Sequence, residues 1–146
     1  MSLALNLTSL AASAAMYVGG DACWQHVMWP KYRANIQAVS GSQDVEINPT
    51  FVFLSYFVLI VALWYFLWRH AADWSVLETC LTSIGMALLV YAAGYNWINQ
   101  ATFARWDSWI SLYDISWGVT LLLIVSFANR AIYMYGGVPP PGPLPG

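Results

Sequence analysis

Four long stretches of the chain contain almost no charged side chains, and this pattern constrains the fold more than any other feature. Residues 1–20, 47–68 and 79–104 contain none, and residues 108–129 contain only Asp114. Each stretch is near the roughly 20 residues that a helix needs to cross a hydrocarbon core of about 30 Å. Lipid offers no hydrogen-bond partner to an open strand edge, so segments this short must be helical. The pattern predicts an all-α integral membrane bundle of four transmembrane helices.

The composition agrees with a membrane protein. Hydrophobic residues make up 60% of the chain and charged residues 8%, whereas a soluble domain carries roughly 25% charged residues. Nine Trp and nine Tyr suit the membrane interface, where amphipathic rings lie at headgroup level. A net charge of −2 argues against a nucleic-acid partner, because phosphate binding needs clustered cations. The lipid bilayer is therefore the first expected partner.

The uncharged stretches predict helices at about residues 3–29, 50–69, 76–100 and 108–134, within one domain covering residues 1–135. Residues 30–49 read as a polar loop, whereas the other links are short and make neighbouring helices antiparallel. Residues 136–146, GGVPPPGPLPG, predict an extended, polyproline-like tail. This tail is either a frayed terminus or a strap that lies on a partner.

An even number of spans places both termini on one side of the membrane. We call that side A and the opposite side B. Side B then carries Lys31, Arg33 and Arg105, and side A carries Arg69, Arg130 and the terminal amine. The positive-inside rule compares such residues in short loops, and here the two sides tie. The absolute orientation is therefore open.

The polar residues of the predicted helices that are costly to bury all fall in the half of the bundle near side B. A carboxylate inside a bilayer costs a few kcal/mol on insertion scales, so it normally faces the bundle and finds a partner. Tyr91, Tyr95 and Asn99 share one face of an α-helix, with Asn96 on a neighbouring face. We predict an intramembrane polar cluster with these members: Asp21, Trp24, Asn48, Tyr91, Tyr95, Asn96, Asn99, Asp114 and Trp117.

The cluster has three interpretations on sequence grounds. It is a structural knot that orients the helices, a site for an ion, proton or ligand, or an interface with another subunit. Lys31, Arg33 and Arg105 are the candidate counter-charges for its carboxylates. Gly85 and Gly118 are predicted to permit close helix packing. We expect no metal site, because His26 and His70 fall on opposite sides of the membrane.

Two related motifs carry a resemblance to a known family. Asp21 and Trp24 form D-x-x-W, and Asp114, Trp117 and Gly118 form D-x-x-W-G. Between them lie Tyr32-Arg33, Asn48, Tyr56, Gly85, Tyr91, the run from Tyr95 to Thr102, and Trp106. Over about residues 17–125, this arrangement resembles a family of small four-span predicted membrane proteins, domain of unknown function 2177. Its members typically show D-x-x-W, then Y-D-L-T-N-x-A-T, a tryptophan, and D-x-x-W-G.

The resemblance implies a four-span fold and a shared polar motif, but no activity. The chain departs from the family pattern at two positions. Where members commonly have Asp and Thr, this chain has Asn96 and Ile98. It therefore lacks one ionisable group and one hydroxyl that shared proton or ion chemistry could use.

Function is predicted in ranked classes. The first is a non-catalytic accessory or structural subunit of a larger membrane assembly. By analogy this is a respiratory-type energy-transducing complex, which would place the protein in the mitochondrial inner membrane. The alternatives are a small transporter or proton or ion pathway that uses the buried acidic residues, and a membrane component of a large virus particle. An enzyme ranks last, because no nucleophile set, metal cluster or phosphate-binding loop is present in the sequence. We expect no catalytic residues, no cofactor and no specific small-molecule ligand, and other membrane subunits as partners.

Overall fold

A computed structural model describes residues 2–42 and 44–136 of the chain. The elements run in the order α1 (Leu3–Ser40), α2 (Pro49–Phe66), a 3₁₀ turn (Trp68–His70), α3 (Val76–Ala87), a π-helix (Leu88–Asn96), α4 (Trp97–Thr102) and α5 (Ser108–Tyr135). Within the described ranges, four helices are long and apolar enough to span a membrane. They are Leu3–Ser40, Pro49–His70, Val76–Thr102 and Ser108–Tyr135. The predicted all-α membrane fold is confirmed.

The first helix is longer than predicted. It was expected to end near residue 29, before a polar loop, but α1 continues through Pro30 to Ser40. Proline removes one backbone hydrogen bond and normally ends or kinks a helix. Here contacts with the start of α5 offset that loss, since Tyr32 packs with Ile110 and the Asp107 N–H donates to Asn35 Oδ1 at 3.1 Å. At 1.5 Å per residue, α1 is about 57 Å long, well beyond the bilayer core.

The third span differs from a regular α-helix. A capping box formed by Ser75 and Glu78 begins α3, as expected for Ser followed three residues later by Glu. From Leu88 to Asn96 the chain is a π-helix, and the Trp97 N–H donates to the carbonyl of Ala92, five residues back. Such helices are rare and often occur at functional sites. The polar faces predicted from α-helical spacing therefore need correction along this segment.

The core lies where α5 packs against α1 and α3. Its fully buried apolar side chains include Leu63, Trp68, Leu122 and Val125. Large apolar side chains cover the outer surface, among them Phe51, Phe53, Phe57, Leu77, Leu81 and Leu89. That distribution suits a bundle surrounded by lipid, which removes the need for a polar exterior. The predicted tail, residues 136–146, lies outside the described residues except for Gly136.

The start of α1 and the end of α5 lie at the same end of the bundle, because the Tyr133 hydroxyl donates to Asn6 Oδ1 at 3.3 Å. We call this end A, and the opposite end, where Asn35 meets Asp107, end B. This arrangement agrees with an antiparallel up-and-down bundle. The location of both termini on one side of the membrane stays a prediction.

A second buried polar cluster lies toward end A. Asn129 accepts hydrogen bonds from the hydroxyls of Ser9 at 2.5 Å and Ser13 at 3.0 Å, and Trp64 donates to Ser9 at 3.2 Å. The prediction that all polar groups that are costly to bury lie in one half of the bundle was therefore wrong. Two serines and one asparagine satisfy each other across α1 and α5, without any ionisable group.

The two glycines predicted to permit helix packing behave differently. A Cβ atom on Gly118 would overlap the ring of Tyr91, so only glycine allows α5 to approach the π-helix this closely. A Cβ atom on Gly85 would have no neighbour within 4 Å, and Gly85 is exposed. The packing role assigned to Gly85 was therefore wrong.

This contrast gives a matched pair of substitutions. Gly118→Ala should lower the free energy of unfolding by about 1–3 kcal/mol, the usual cost of overpacking. Gly85→Ala should cause no loss, since alanine favours a helix by about 0.8–1.0 kcal/mol over glycine. Thermal unfolding in mild detergent, followed by circular dichroism, measures both. Equal destabilisation by the two substitutions would contradict the packing described for Gly118.

Candidate functional site

Asp114 lies in the first two turns of α5 and is 3% exposed. Its Oδ1 accepts hydrogen bonds from the Tyr32 hydroxyl at 2.5 Å and from Trp24 Nε1 at 3.3 Å. Its Oδ2 accepts one from Asn96 Nδ2 at 2.8 Å. Two of the donors come from α1 and one from the π-helix. Asp114 therefore joins three spans through neutral donors.

Asp21, on α1, has the side chains of Tyr56, Tyr91 and Gln25 as donors. Its Oδ2 accepts a hydrogen bond from the Tyr56 hydroxyl of α2, and its Oδ1 accepts a long one from the Tyr91 hydroxyl at 3.4 Å. The hydroxyls of Tyr91 and Tyr17 also lie 2.7 Å apart. Asp21 is 6% exposed. Asp21 is therefore held by neutral donors from α1, α2 and the π-helix.

Both carboxylates line the same cavity, which we call the acidic cleft. Its volume is about 290 Å³. Its walls come from α1, α2, the π-helix and α5: Tyr17, Asp21, Gln25, Trp29, Tyr32, Ile36, Ser55, Tyr56, Leu59, Val90, Tyr91, Tyr95 and Asp114. Along α1 the lining runs from Tyr17 to Ile36, a rise of roughly 28 Å at helical spacing. The cleft therefore reaches from the middle of the bundle toward end B.

The inner end of the acidic cleft is closed by apolar packing. Tyr17 and Tyr91 belong to the cluster that contains Trp68, Leu122 and Val125, and the latter three are completely buried. Beyond them lies the Ser9, Ser13 and Asn129 cluster. A polar path from end B therefore stops at the tyrosine pair.

The predicted counter-charges do not pair with the carboxylates. Lys31 lies over the ring of Tyr113, with Nζ 5.2 Å from its centroid, while Arg33 and Arg105 are exposed. In residues 2–42 and 44–136, the one contact within 4.0 Å between a basic and an acidic side chain joins His70 and Asp73, and it is an ion pair only when the histidine is protonated. A long cationic side chain at the end of a bundle can place its charge in water, and this costs less free energy than placing the charge in the interior. The expectation of protein counter-charges was therefore wrong.

Six of the predicted cluster residues come together: Asp21, Trp24, Tyr91, Asn96, Asp114 and Trp117. The two D-x-x-W motifs meet directly, because the rings of Trp24 and Trp117 stack with centroids 5.2 Å apart and planes 8° from parallel. Each motif places its tryptophan one turn from its carboxylate. The motifs thus join α1 to α5 as well as supplying acidic groups.

Three predicted members lie elsewhere or at the margin. Asn48 is exposed and caps α2, accepting hydrogen bonds from the N–H groups of Thr50 and Phe51, so its assignment to the cluster was wrong. Tyr95 is 44% exposed and lies at the cleft wall. Asn99 does not line the cleft. The π-helix explains this outcome, because its i to i+5 spacing turns Asn96 inward beneath Tyr91 and turns Tyr95 outward.

Three tyrosines of the site were not predicted as members: Tyr17, Tyr32 and Tyr56. From the sequence, each fits an aromatic residue at the membrane interface, which is the common role of tyrosine in a transmembrane helix. One signal could have identified Tyr17, which precedes Asp21 by four residues and therefore shares its helix face. Tyr32 was placed in a loop because Pro30 was taken as the end of the helix.

The hydrogen bond between Asn96 and Asp114 can be tested by exchange of the two groups. Asn96→Asp places two carboxylates in contact, and they can form a hydrogen bond only by sharing a proton. We expect this variant to lose about 1.5–3 kcal/mol of stability at neutral pH, the range for a hydrogen bond to a charged group. The loss should shrink in mildly acidic buffer, where one carboxylate is protonated.

The double variant Asn96→Asp with Asp114→Asn restores one amide and one carboxylate with their positions exchanged. Thermal unfolding in detergent should show it to be more stable at neutral pH than Asn96→Asp alone. Additive losses in the double variant, with no recovery, would show that the two side chains do not interact.

Comparison with known proteins agrees with this architecture. The family model described as predicted membrane protein (DUF2177) matches residues 6–130, a range that contains all of α2, α3 and α4 and both D-x-x-W motifs. No curated protein and no solved structure matches the chain. The chain therefore belongs to the DUF2177 family of predicted membrane proteins.

Proposed function

We propose that this membrane protein binds a small cation in the acidic cleft and acts as a small transporter or ion pathway. The observation that carries the proposal is the pairing of Asp21 and Asp114 in one cavity whose hydrogen-bond donors are neutral side chains. A buried ionised carboxylate without a cation is very unfavourable in a membrane. Each carboxylate must therefore take up a proton or be neutralised by a bound cation.

The size and walls of the acidic cleft favour an organic ammonium ion over a bare metal ion. Ligand cavities in proteins typically measure about 300–1,000 Å³, and the volume of about 290 Å³ is at the lower end of that range. Tyr17, Trp29, Tyr32 and Tyr56 contribute aromatic walls, and aromatic faces attract cations. Within the described ranges, no group of three or more His, Cys, Asp or Glu side chains could hold a metal ion.

Transport needs a second state in which the cleft opens toward end A. The π-helix is the part of the bundle best suited to such a change, since π-helices interrupt the regular hydrogen bonding of a span. Asn96 and Tyr91 both belong to it and both contact the carboxylates. Movement of this segment would alter the two acidic sites together.

The other functions predicted from the sequence stay hypotheses. The apolar outer surface of α2 suits contact with lipid as well as contact with a neighbouring subunit. A role in a respiratory-type complex, a mitochondrial location and a role in a virus particle therefore gain no support from the fold. The acidic cleft favours cation binding, and neither alternative needs that cleft.

Flux measurements test the proposal. Purified protein in liposomes should carry protons or a small ammonium ion such as methylammonium across the membrane, followed with an internal pH dye. Asp21→Asn should abolish this flux, because it removes one of the two carboxylates of the acidic cleft while keeping the shape of the side chain. Asp114→Asn should also reduce it, and size-exclusion chromatography would show whether that variant keeps its fold.

Asp44→Asn is the matched control, since Asp44 is an exposed loop carboxylate outside the acidic cleft. It should leave the flux unchanged. Absence of flux with the unaltered protein, or equal flux with Asp21→Asn, would contradict the proposed function.

A further inference from the structure

A second polar cavity lies at end B, where the extension of α1 meets the start of α5. Its volume is about 430 Å³, and we call it the end-B pocket. It is lined by Lys31, Ala34, Asn35, Asp107, Trp109, Ile110 and Tyr113. None of these residues lines the acidic cleft. The end-B pocket is therefore a separate feature that the proposed cation function leaves unexplained.

Asn35 gives this pocket a donor that lacks a partner. Asn35 is 7% exposed, and its Oδ1 accepts from the Asp107 N–H at 3.1 Å. That bond fixes which end of the amide is the oxygen. Asn35 Nδ2 is buried and has no hydrogen-bond partner among the described residues. A buried donor without an acceptor costs about 1–3 kcal/mol, so a ligand oxygen at this place would be stabilising.

Charges of both signs lie around this donor. Lys31 supplies an exposed ammonium group that lies over the Tyr113 ring. Asp107 supplies a carboxylate of which Oδ1 accepts from the Trp109 N–H at 2.8 Å and caps α5. The first N–H groups of α5 lie at the same place and favour negative charge. The pocket thus offers donors for an anion beside an acceptor for a cation.

The surroundings match the depth of lipid headgroups. Trp109 is 67% exposed and Tyr113 is 45% exposed, and such rings are enriched at the boundary between lipid and water. α5, a candidate membrane span, begins at Ser108, next to the pocket. A lipid in the surrounding bilayer would therefore present its headgroup directly to these side chains.

We propose that the end-B pocket binds the headgroup of a phospholipid that carries both a phosphate and a primary ammonium group. The phosphate accepts hydrogen bonds from Asn35 Nδ2 and the Lys31 ammonium. The ammonium of the headgroup lies beside the Asp107 carboxylate. The ligand class is phosphoethanolamine, held in the leaflet at end B.

Lipid retention measures this binding. The full chain is reconstituted in bicelles that contain equal amounts of phosphatidylethanolamine, phosphatidylcholine and phosphatidylglycerol, and native mass spectrometry then counts the lipids that stay bound. We expect phosphatidylethanolamine to be retained about tenfold more than the other two, the ratio that one additional charged hydrogen bond produces.

Two isosteric variants separate this role from a structural one. Asn35→Asp keeps the acceptor for the Asp107 N–H but replaces the unpartnered donor with an anionic oxygen, so retention of every phospholipid should fall. Asp107→Asn keeps the cap of α5, because Asn and Asp cap helices equally well, but it should remove the preference for ethanolamine over choline. Arg33→Ala, at an exposed position outside the pocket, is the control and should change neither result.

Several results would overturn the inference. Equal retention of the three lipids, or retention that Asn35→Asp leaves unchanged, would show that the pocket does not bind the headgroup selectively. Displacement of the lipid by millimolar inorganic phosphate would assign the pocket to a free anion. Thermal unfolding of each variant identifies one that fails to fold, and Lys31→Ala then provides the second measurement of phosphate binding.

Discussion

The hydrogen bonds of Asp114 join the helices in the half of the bundle toward end B. One carboxylate group accepts from α1 through Tyr32 and Trp24 and from the π-helix through Asn96, while its own helix forms the centre of the core. In lipid, apolar side chains gain little by leaving their surroundings, so packing and interhelical hydrogen bonds decide how spans associate. Removal of this acceptor would leave the Tyr32 hydroxyl without its acceptor, whereas Trp24 and Asn96 would keep bonds to the Tyr32 hydroxyl and the Tyr91 carbonyl. The positions of Asp21, of the cleft and of the end-B pocket all depend on the alignment of α1 with α5 that this group fixes.

The sequence was sufficient for the four spans and for part of the site. Length and absence of charge predicted the spans, because lipid permits few other structures, and the cost of burying Asp21 and Asp114 predicted that they would face the bundle. The extension of α1 could not be predicted, since it depends on a contact between Asn35 and Asp107, 72 residues apart. The cluster of Ser9, Ser13 and Asn129 was missed for the same reason. Serine in a helix usually bonds to its own backbone, and only the tertiary fold shows a partner on another span.

Buried polar groups find their hydrogen-bond partners in different ways in the two halves of the bundle. Toward end A, hydroxyl and amide groups satisfy one another, which leaves a neutral and closed interior. Toward end B, two carboxylates share a cavity with tyrosines, which leaves capacity for a further donor. Apolar side chains around Trp68 separate the halves. The carboxylates of the bundle interior therefore lie in the half toward end B.

The π-helix has a consequence for how related chains can vary in length. Its wider hydrogen-bonded turns, between Ala87 and Trp97, hold more residues per turn than an α-helix does. Loss of residues there would restore regular α-helical bonding, and the residues beyond the segment would keep their faces, because the wider turns had accommodated the extra length. Asn96, at the end of the segment, would then stay beside Asp114, whereas the residues inside the segment would change the faces that they present. An alignment of such chains should therefore allow an insertion or deletion in this segment. Residues aligned there by sequence do not always occupy equivalent positions in the structure.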